Sequence, residues 1–136
     1  MIIGFTGTRK GMKESSKEVI KEFIVNGNHT EFHHGDCTGS DEQFHVLVDE
    51  LNIKGAVIHI HPPSTHGYKA YCVRKANKTK VVLHEPKSYY SRNKDIVNSS
   101  DLIIATPVSL NIKQLSGTWW TIYYALEKNK PIMILL

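Results

Sequence analysis

The sequence predicts an α/β fold: a Rossmann-like three-layer sandwich with a mostly parallel sheet of about five to six strands and helices on both faces. Two observations predict it. Short apolar runs alternate with amphipathic helical patterns along the whole chain. Those runs are near-continuously apolar, as strands of a parallel sheet covered on both sides are.

The elements follow in order. Residues 2–6 form an apolar run that ends at a Gly/Thr turn, a buried first strand. In residues 13–25, Val19, Ile20, Phe23 and Ile24 lie opposite Lys17, Lys21 and Glu22, an amphipathic helix ended by Asn26-Gly27-Asn28. Residues 30–33 are a short second strand. Residues 40–51 are a second helix with Phe44, Leu47, Val48 and Leu51 on one face, and Ser40 or Asp41 is the expected cap. Residues 56–60 are a third strand, stopped by Pro62-Pro63. The polar stretch 64–78 fits an irregular crossover or a short helix. A fourth strand is expected at 79–83, and a helix at 91–99 turns Ile96 and Val97 inward. A strand at 102–105, a loop at 107–115, a helix at 118–128 and a last strand at 132–136 complete the pattern.

A chain of 136 residues is expected to form a single domain, 1–136. Two cysteines, Cys37 and Cys72, make no disulfide framework. No apolar run approaches the ~18 residues of a membrane span, so no membrane partner is expected. The apolar start is too short for a signal peptide. A cytoplasmic location, or a host cytoplasm for a viral protein, is the expectation. The formal charge of +4 favours anionic ligands.

Three loops carry candidate chemistry, because right-handed crossovers bring strand-to-helix loops to one edge of a parallel sheet. Gly7-Thr8-Arg9 offers a close backbone approach, a hydroxyl and a guanidinium fork for phosphate. Gly35-Asp36-Cys37-Thr38-Gly39-Ser40-Asp41 combines glycines, hydroxyls and a helix start; Asp36 and Asp41 suit ribose hydroxyls or base edges, or else a turn and a helix cap. Ser116-Gly117-Thr118 opens the last helix and is the most phosphate-like of the three. One of Trp119 and Trp120 is expected in the core, leaving the other to stack on a base. Arg92-Asn93, at a helix start, is a fourth feature. None of these is a dinucleotide or NTP fingerprint.

Other chemistries are weaker. His33, His34, His59 and His61 are available to a metal, and His59 and His61 face one side of a strand, but spacing implies no third ligand. No metal or other cofactor is therefore expected. Cys37 near a helix start suits a nucleophile, yet no orienting group is evident.

In this order, Gly7-Thr8-Arg9, the segment from His34 to Asp41, the segment from Ser91 to Val97, the segment from Asp101 to Ala105 and Ser116-Gly117-Thr118 resemble the SLOG superfamily. That group includes the Lonely Guy phosphoribohydrolases, Smf/DprA DNA-processing proteins, YspA/YpsA-type proteins and sensor domains of bacterial immune systems. Asp41 with His45 is similar to a stretch of the DNA-processing proteins. The resemblance implies a Rossmann-like fold that binds nucleotides or ADP-ribose-like molecules. The phosphoribohydrolases carry a catalytic Glu after their Gly-Thr pair; Thr121 stands at that place here, so the implied hydrolytic acid is absent.

Three functions are expected to compete. The first is a sensor or sequestering module for a nucleotide or a linear or cyclic ADP-ribose-type ligand. Arg9, Arg92 and the Gly117-Thr118 backbone would hold phosphates, Asp36 and Asp41 ribose or base, and Trp119 or one of Tyr68, Tyr71, Tyr89 and Tyr90 would stack. The second is a nucleoside-monophosphate N-glycosidase using Asp36 or Asp41. The third is a single-stranded nucleic-acid binder, through the tyrosines, tryptophans and the lysine-rich region 69–80. A homo-oligomer is also expected.

Overall fold

A computed structural model describes residues 1–110 and 116–136. Six strands form one all-parallel sheet: β1 (Ile2–Gly7), β2 (Glu31–His34), β3 (Val57–Ile60), β4 (Lys80–Leu83), β5 (Leu102–Thr106) and β6 (Ile132–Ile134). Their spatial order is β4-β3-β2-β1-β5-β6. Helices α1 (Glu14–Asn26), α2 (Ser40–Leu51), α3 (Tyr89–Ser99) and α4 (Gly117–Glu127) make the outer layers. The architecture is the Rossmann-like three-layer sandwich the sequence predicts. No helix among the described residues is long and apolar enough to cross a membrane.

Strand alternation sorts the side chains between the layers. Ile3, Phe5, Phe32, Ile58 and Ile60 pack with Ile20 and Ile24 of α1 and with Phe44 and Val48 of α2. Phe44 stacks on Phe5 at 4.4 Å between ring centroids. On the other face, Ile103 packs with Val97 of α3 and Ala125 of α4, and Ala105 packs with Trp119 and Ile122 of α4.

The strand order reverses at β1. The chain moves outward from β1 through β2 and β3 to β4, then returns to the other side of β1 for β5 and β6. Loops leaving β1 and β5 therefore diverge, opening a crevice at their carboxyl ends.

Several local expectations shift. Neither Ser40 nor Asp41 caps α2: the cap is Gly39, with no side-chain cap bond. Ser40 Oγ instead donates to the Thr8 carbonyl at 2.6 Å, and Asp41 reaches back to the Cys37 N–H at 3.2 Å. Helix α3 begins at Tyr89, two residues earlier than expected, because the Ser88 hydroxyl caps it by accepting from the Ser91 N–H. The stretch 64–78 is irregular apart from one 3-10 turn, Cys72–Arg74. Part of the loop expected at 107–115 lies outside the described residues.

Candidate functional site

A cleft of about 440 Å³ lies at the crevice between β1 and β5. The end of β1 contributes Gly7, Thr8, Arg9 and Lys10 to its wall, and the β2–α2 loop contributes Gly35, Cys37 and Asp41. Tyr89, Tyr90, Arg92 and Asn93 come from α3, and Ser116, Gly117 and Thr118 from the start of α4. All four sequence features thus meet in one place, although Arg92 and Gly117 are 25 residues apart.

The arginines play different parts. Arg9 is exposed, and its guanidinium lies 3.8 Å from the Tyr68 ring centroid and 5.4 Å from that of Tyr89. It has no carboxylate or carbonyl partner among the described residues, so stacking orients the fork while leaving its donors available. Lys10, beside it in the wall, was not singled out by the sequence; the Arg9-Lys10 pair was its only signal. Arg92 is 5% exposed. Its Nη1 donates to the carbonyls of Gly35 and His61, and both terminal nitrogens approach Cys37 Sγ at 3.8–3.9 Å. Gly35 must lack a side chain here, since a Cβ would sit 2.1 Å from Arg92 Nη1. Arg92 therefore ties α3 to the β2–α2 loop, and its Nε has no hydrogen-bond partner among the described residues.

The carboxylates also separate. Asp36 is 1% exposed, has a left-handed backbone (φ 57°) and does not line the cleft. Its Oδ1 accepts from the Cys72 N–H at 2.8 Å, and its carbonyl accepts from the Ala70 N–H at 2.8 Å. It anchors the 70–72 crossover to the loop. Asp41 does line the cleft. Burial raises its carboxyl from 3.8 to about 6, against the pull of Arg92 and of the Cys37 N–H. Of the two acids considered for catalysis, only Asp41 faces the space a ligand would occupy.

Burial, reinforced by Asp41, also pushes the Cys37 thiol up. A thiol held up in this way is not an activated nucleophile.

The rest of the 35–41 loop is engaged internally. The Thr38 N–H donates to the Tyr68 carbonyl at 2.8 Å, and Thr38, Gly39 and Ser40 stay outside the cleft wall. A Cβ on Gly39, at φ 89°, would sit 2.1 Å from the Arg9 carbonyl oxygen.

At α4, the Ser116 hydroxyl caps the helix by accepting from the Trp119 N–H at 3.2 Å. The Gly117 and Thr118 N–H groups belong to the first turn, which has no intrahelical acceptors. Trp119 does not reach the cleft: it is 7% exposed, packs with Ala105 and Ile122, and its Nε1 donates to the Ser109 carbonyl. Trp120 stacks on Tyr124 and lies against Tyr90. The aromatic side chains lining the cleft are Tyr89, Tyr90 and the buried Phe5 at its floor. Thr121 is 1% exposed and donates to the Gly117 carbonyl at 2.9 Å, so it adds no acid to the cleft.

The chain matches no protein-family model, no curated protein and no solved structure.

Proposed function

We propose that this protein binds a nucleotide or ADP-ribose-type ligand in the cleft between β1 and β5, as a sensor or sequestering module. One observation carries the reading: Arg9, Lys10 and the first turn of α4 line the same 440 Å³ space at the switch in strand order. Two cations and a helix N-terminus converging on one cleft suit phosphate. Tyr89 and Tyr90 offer ring faces for a base. Asp41 and Asn93 offer an acceptor and an amide for ribose hydroxyls. The order of these loops, with its resemblance to the SLOG superfamily, favours the same ligand class.

Calorimetry against ADP, ADP-ribose, cyclic ADP-ribose and adenosine tests it. At least one phosphorylated ligand binds with Kd below about 1 mM, roughly −4 kcal/mol. Adenosine binds at least about tenfold more weakly, a difference of ~1.4 kcal/mol. If no phosphorylated ligand binds below about 1 mM, the reading fails.

Asp41 favours a second reading. A carboxyl held near 6 beside an arginine is suited to general acid or base work near neutrality. On this reading the bound nucleoside monophosphate is hydrolysed at its glycosidic bond. Release of free base that Asp41→Asn abolishes and the exposed Glu50→Gln leaves intact would establish it. Ligand binding without release of base would retire it.

A further inference from the structure

The chain has eight histidines, and six of them form two groups that share no ring nitrogen. Between them lies the sheet. His34 points with Phe44 into the α1/α2 layer, whereas His33, its neighbour along β2, points to the opposite face. His33 is in register with His59 of β3. His61 and His84 follow on the same face at the ends of β3 and β4. Glu31, two residues before His33, shares it too.

The inner group is closed. The Asp36 N–H donates to His34 Nδ1, which places the His34 proton on Nε2. That proton is donated to His45 Nδ1 at 2.8 Å, which places the His45 proton on Nε2, and this in turn is donated to Asn77 Oδ1 at 2.6 Å. Every ring nitrogen is used in a chain running one way. Although Cys72 lies close enough to complete a ligand trio with His34 and His45, all three are buried and both imidazoles are satisfied without a metal.

The outer group has a different logic. His33 Nδ1 is held by His61 Nε2 at 2.8 Å, and His59 Nδ1 by His84 Nε2 at 2.9 Å. Each of the two central rings is thus fixed through Nδ1 by another imidazole, leaving its Nε2. The central rings are stacked in parallel, 4.2 Å between centroids and 2° between planes. His59 Nε2 already lies 3.0 Å from Glu31 Oε1. One ligand atom from each of Glu31, His33 and His59 falls within 4.8 Å of the other two.

We propose that Glu31, His33 and His59 bind one divalent transition-metal ion on this face of the sheet, the two rings tilting out of their parallel stack so that both lone pairs meet the ion while His61 and His84 remain their partners at Nδ1. Two imidazoles and a carboxylate are a donor set suited to zinc, cobalt, nickel or copper. Ligating histidines are characteristically held at their second nitrogen, as His33 and His59 are. The ion takes the place of the hydrogen bond between His59 Nε2 and Glu31; the His59 ring keeps one proton, on Nδ1 and donated to His84, and any proton displaced from Nε2 goes to solvent. The Glu31 side chain is 40% exposed and that of His59 16% exposed, which leaves the site open to solvent. On α3 and its preceding loop, the charged groups acting on these histidines are Asp95 and Lys87, which face His84 and pair with each other at 2.6 Å, and Arg92, which faces His61. The site is independent of the nucleotide reading of the cleft.

The test uses the untagged full chain, stripped with a chelator and titrated with Zn²⁺ alone by calorimetry, and with Co²⁺ by visible absorption. One Zn²⁺ binds per chain with Kd below about 10 µM, and Co²⁺ gives the ligand-field bands of nitrogen and oxygen coordination. Glu31→Gln, an isosteric change at a half-buried position, weakens binding at least about tenfold. His59→Gln does the same, and His66→Gln, on the exposed crossover, leaves it unchanged. Absence of saturable Zn²⁺ binding overturns the proposal. So does binding that both Glu31→Gln and His59→Gln leave intact.

Discussion

Two regions at the open edge of the sheet look alike in sequence and differ in what they leave available. The 35–41 loop and the Ser116–Thr118 turn each join glycine and hydroxyls to a helix start. In the first, Thr38 N–H, Ser40 Oγ and Asp36 Oδ1 are all engaged by neighbouring segments. In the second, Gly117 and Thr118 begin a helix whose first turn lines the same cleft as Arg9. A glycine-rich loop is therefore not a phosphate site by composition alone. The 35–41 loop is a clamp that holds β1, α3 and the 70–72 crossover together, and the proposed anion contacts are the first turn of α4 and Arg9.

Substitutions sharpen this division. The largest effect is expected from Gly39→Ala. A side chain there meets the Arg9 backbone at φ 89°, and the clamp is expected to lose about 3 kcal/mol of stability, measured by denaturant unfolding. A change below about 0.5 kcal/mol would mean that the loop is not clamped.

Asp41→Asn comes next and has a pH signature. The folded carboxyl titrates at about 6, above its ordinary 3.8. Folding therefore takes up a proton between about pH 4 and 6. The stability this contributes is full below about pH 4 and is lost as pH rises through about 6. The asparagine variant escapes that loss. Relative to the parent it gains about 2 kcal/mol at pH 7.5 and nothing comparable at pH 4, read from unfolding curves at the two pH values. An equal effect at both would show that the carboxyl is not held up.

Ser116→Ala removes the α4 cap and is expected to cost about 1 kcal/mol. Arg9→Ala has the smallest effect on stability, within about 0.5 kcal/mol for an exposed side chain with no hydrogen-bond partner among the described residues. It separates folding from binding: affinity for a phosphorylated nucleotide falls at least about tenfold, ~1.4 kcal/mol. Unchanged affinity would move the phosphate away from the β1 loop.

The fold was legible because apolar strands and amphipathic helices carry their own period. Phe44 and Val48 on α2, and Ile96 and Val97 on α3, face inward as their spacing implies. Strand alternation also put His59 and His61 on one side, but register across strands is not written in any single segment. The meeting of His33, His59, His61, His84 and Glu31 depends on β2, β3 and β4 pairing in order, so the place of Glu31 beside the two rings could not be read from spacing. The location of the cleft followed from loop order and crossover handedness. The roles within it did not. Asp36 and Asp41 are both acids in one glycine-rich loop, and only the left-handed turn at Asp36 directs one to Cys72 while the other faces the cleft. Trp119 and Trp120 are adjacent; the phase of α4 decides that Trp119 enters the core, and no feature of the dipeptide does.

The most direct test of the account follows the backbone amides by NMR during titration with ADP-ribose. The largest shifts are expected at Arg9, Lys10, Gly117 and Thr118, with smaller ones at Tyr89 and Tyr90 and little change at Thr38, Gly39 and Ser40. Shifts concentrated at Thr38–Ser40, with Gly117 and Thr118 unmoved, would contradict it.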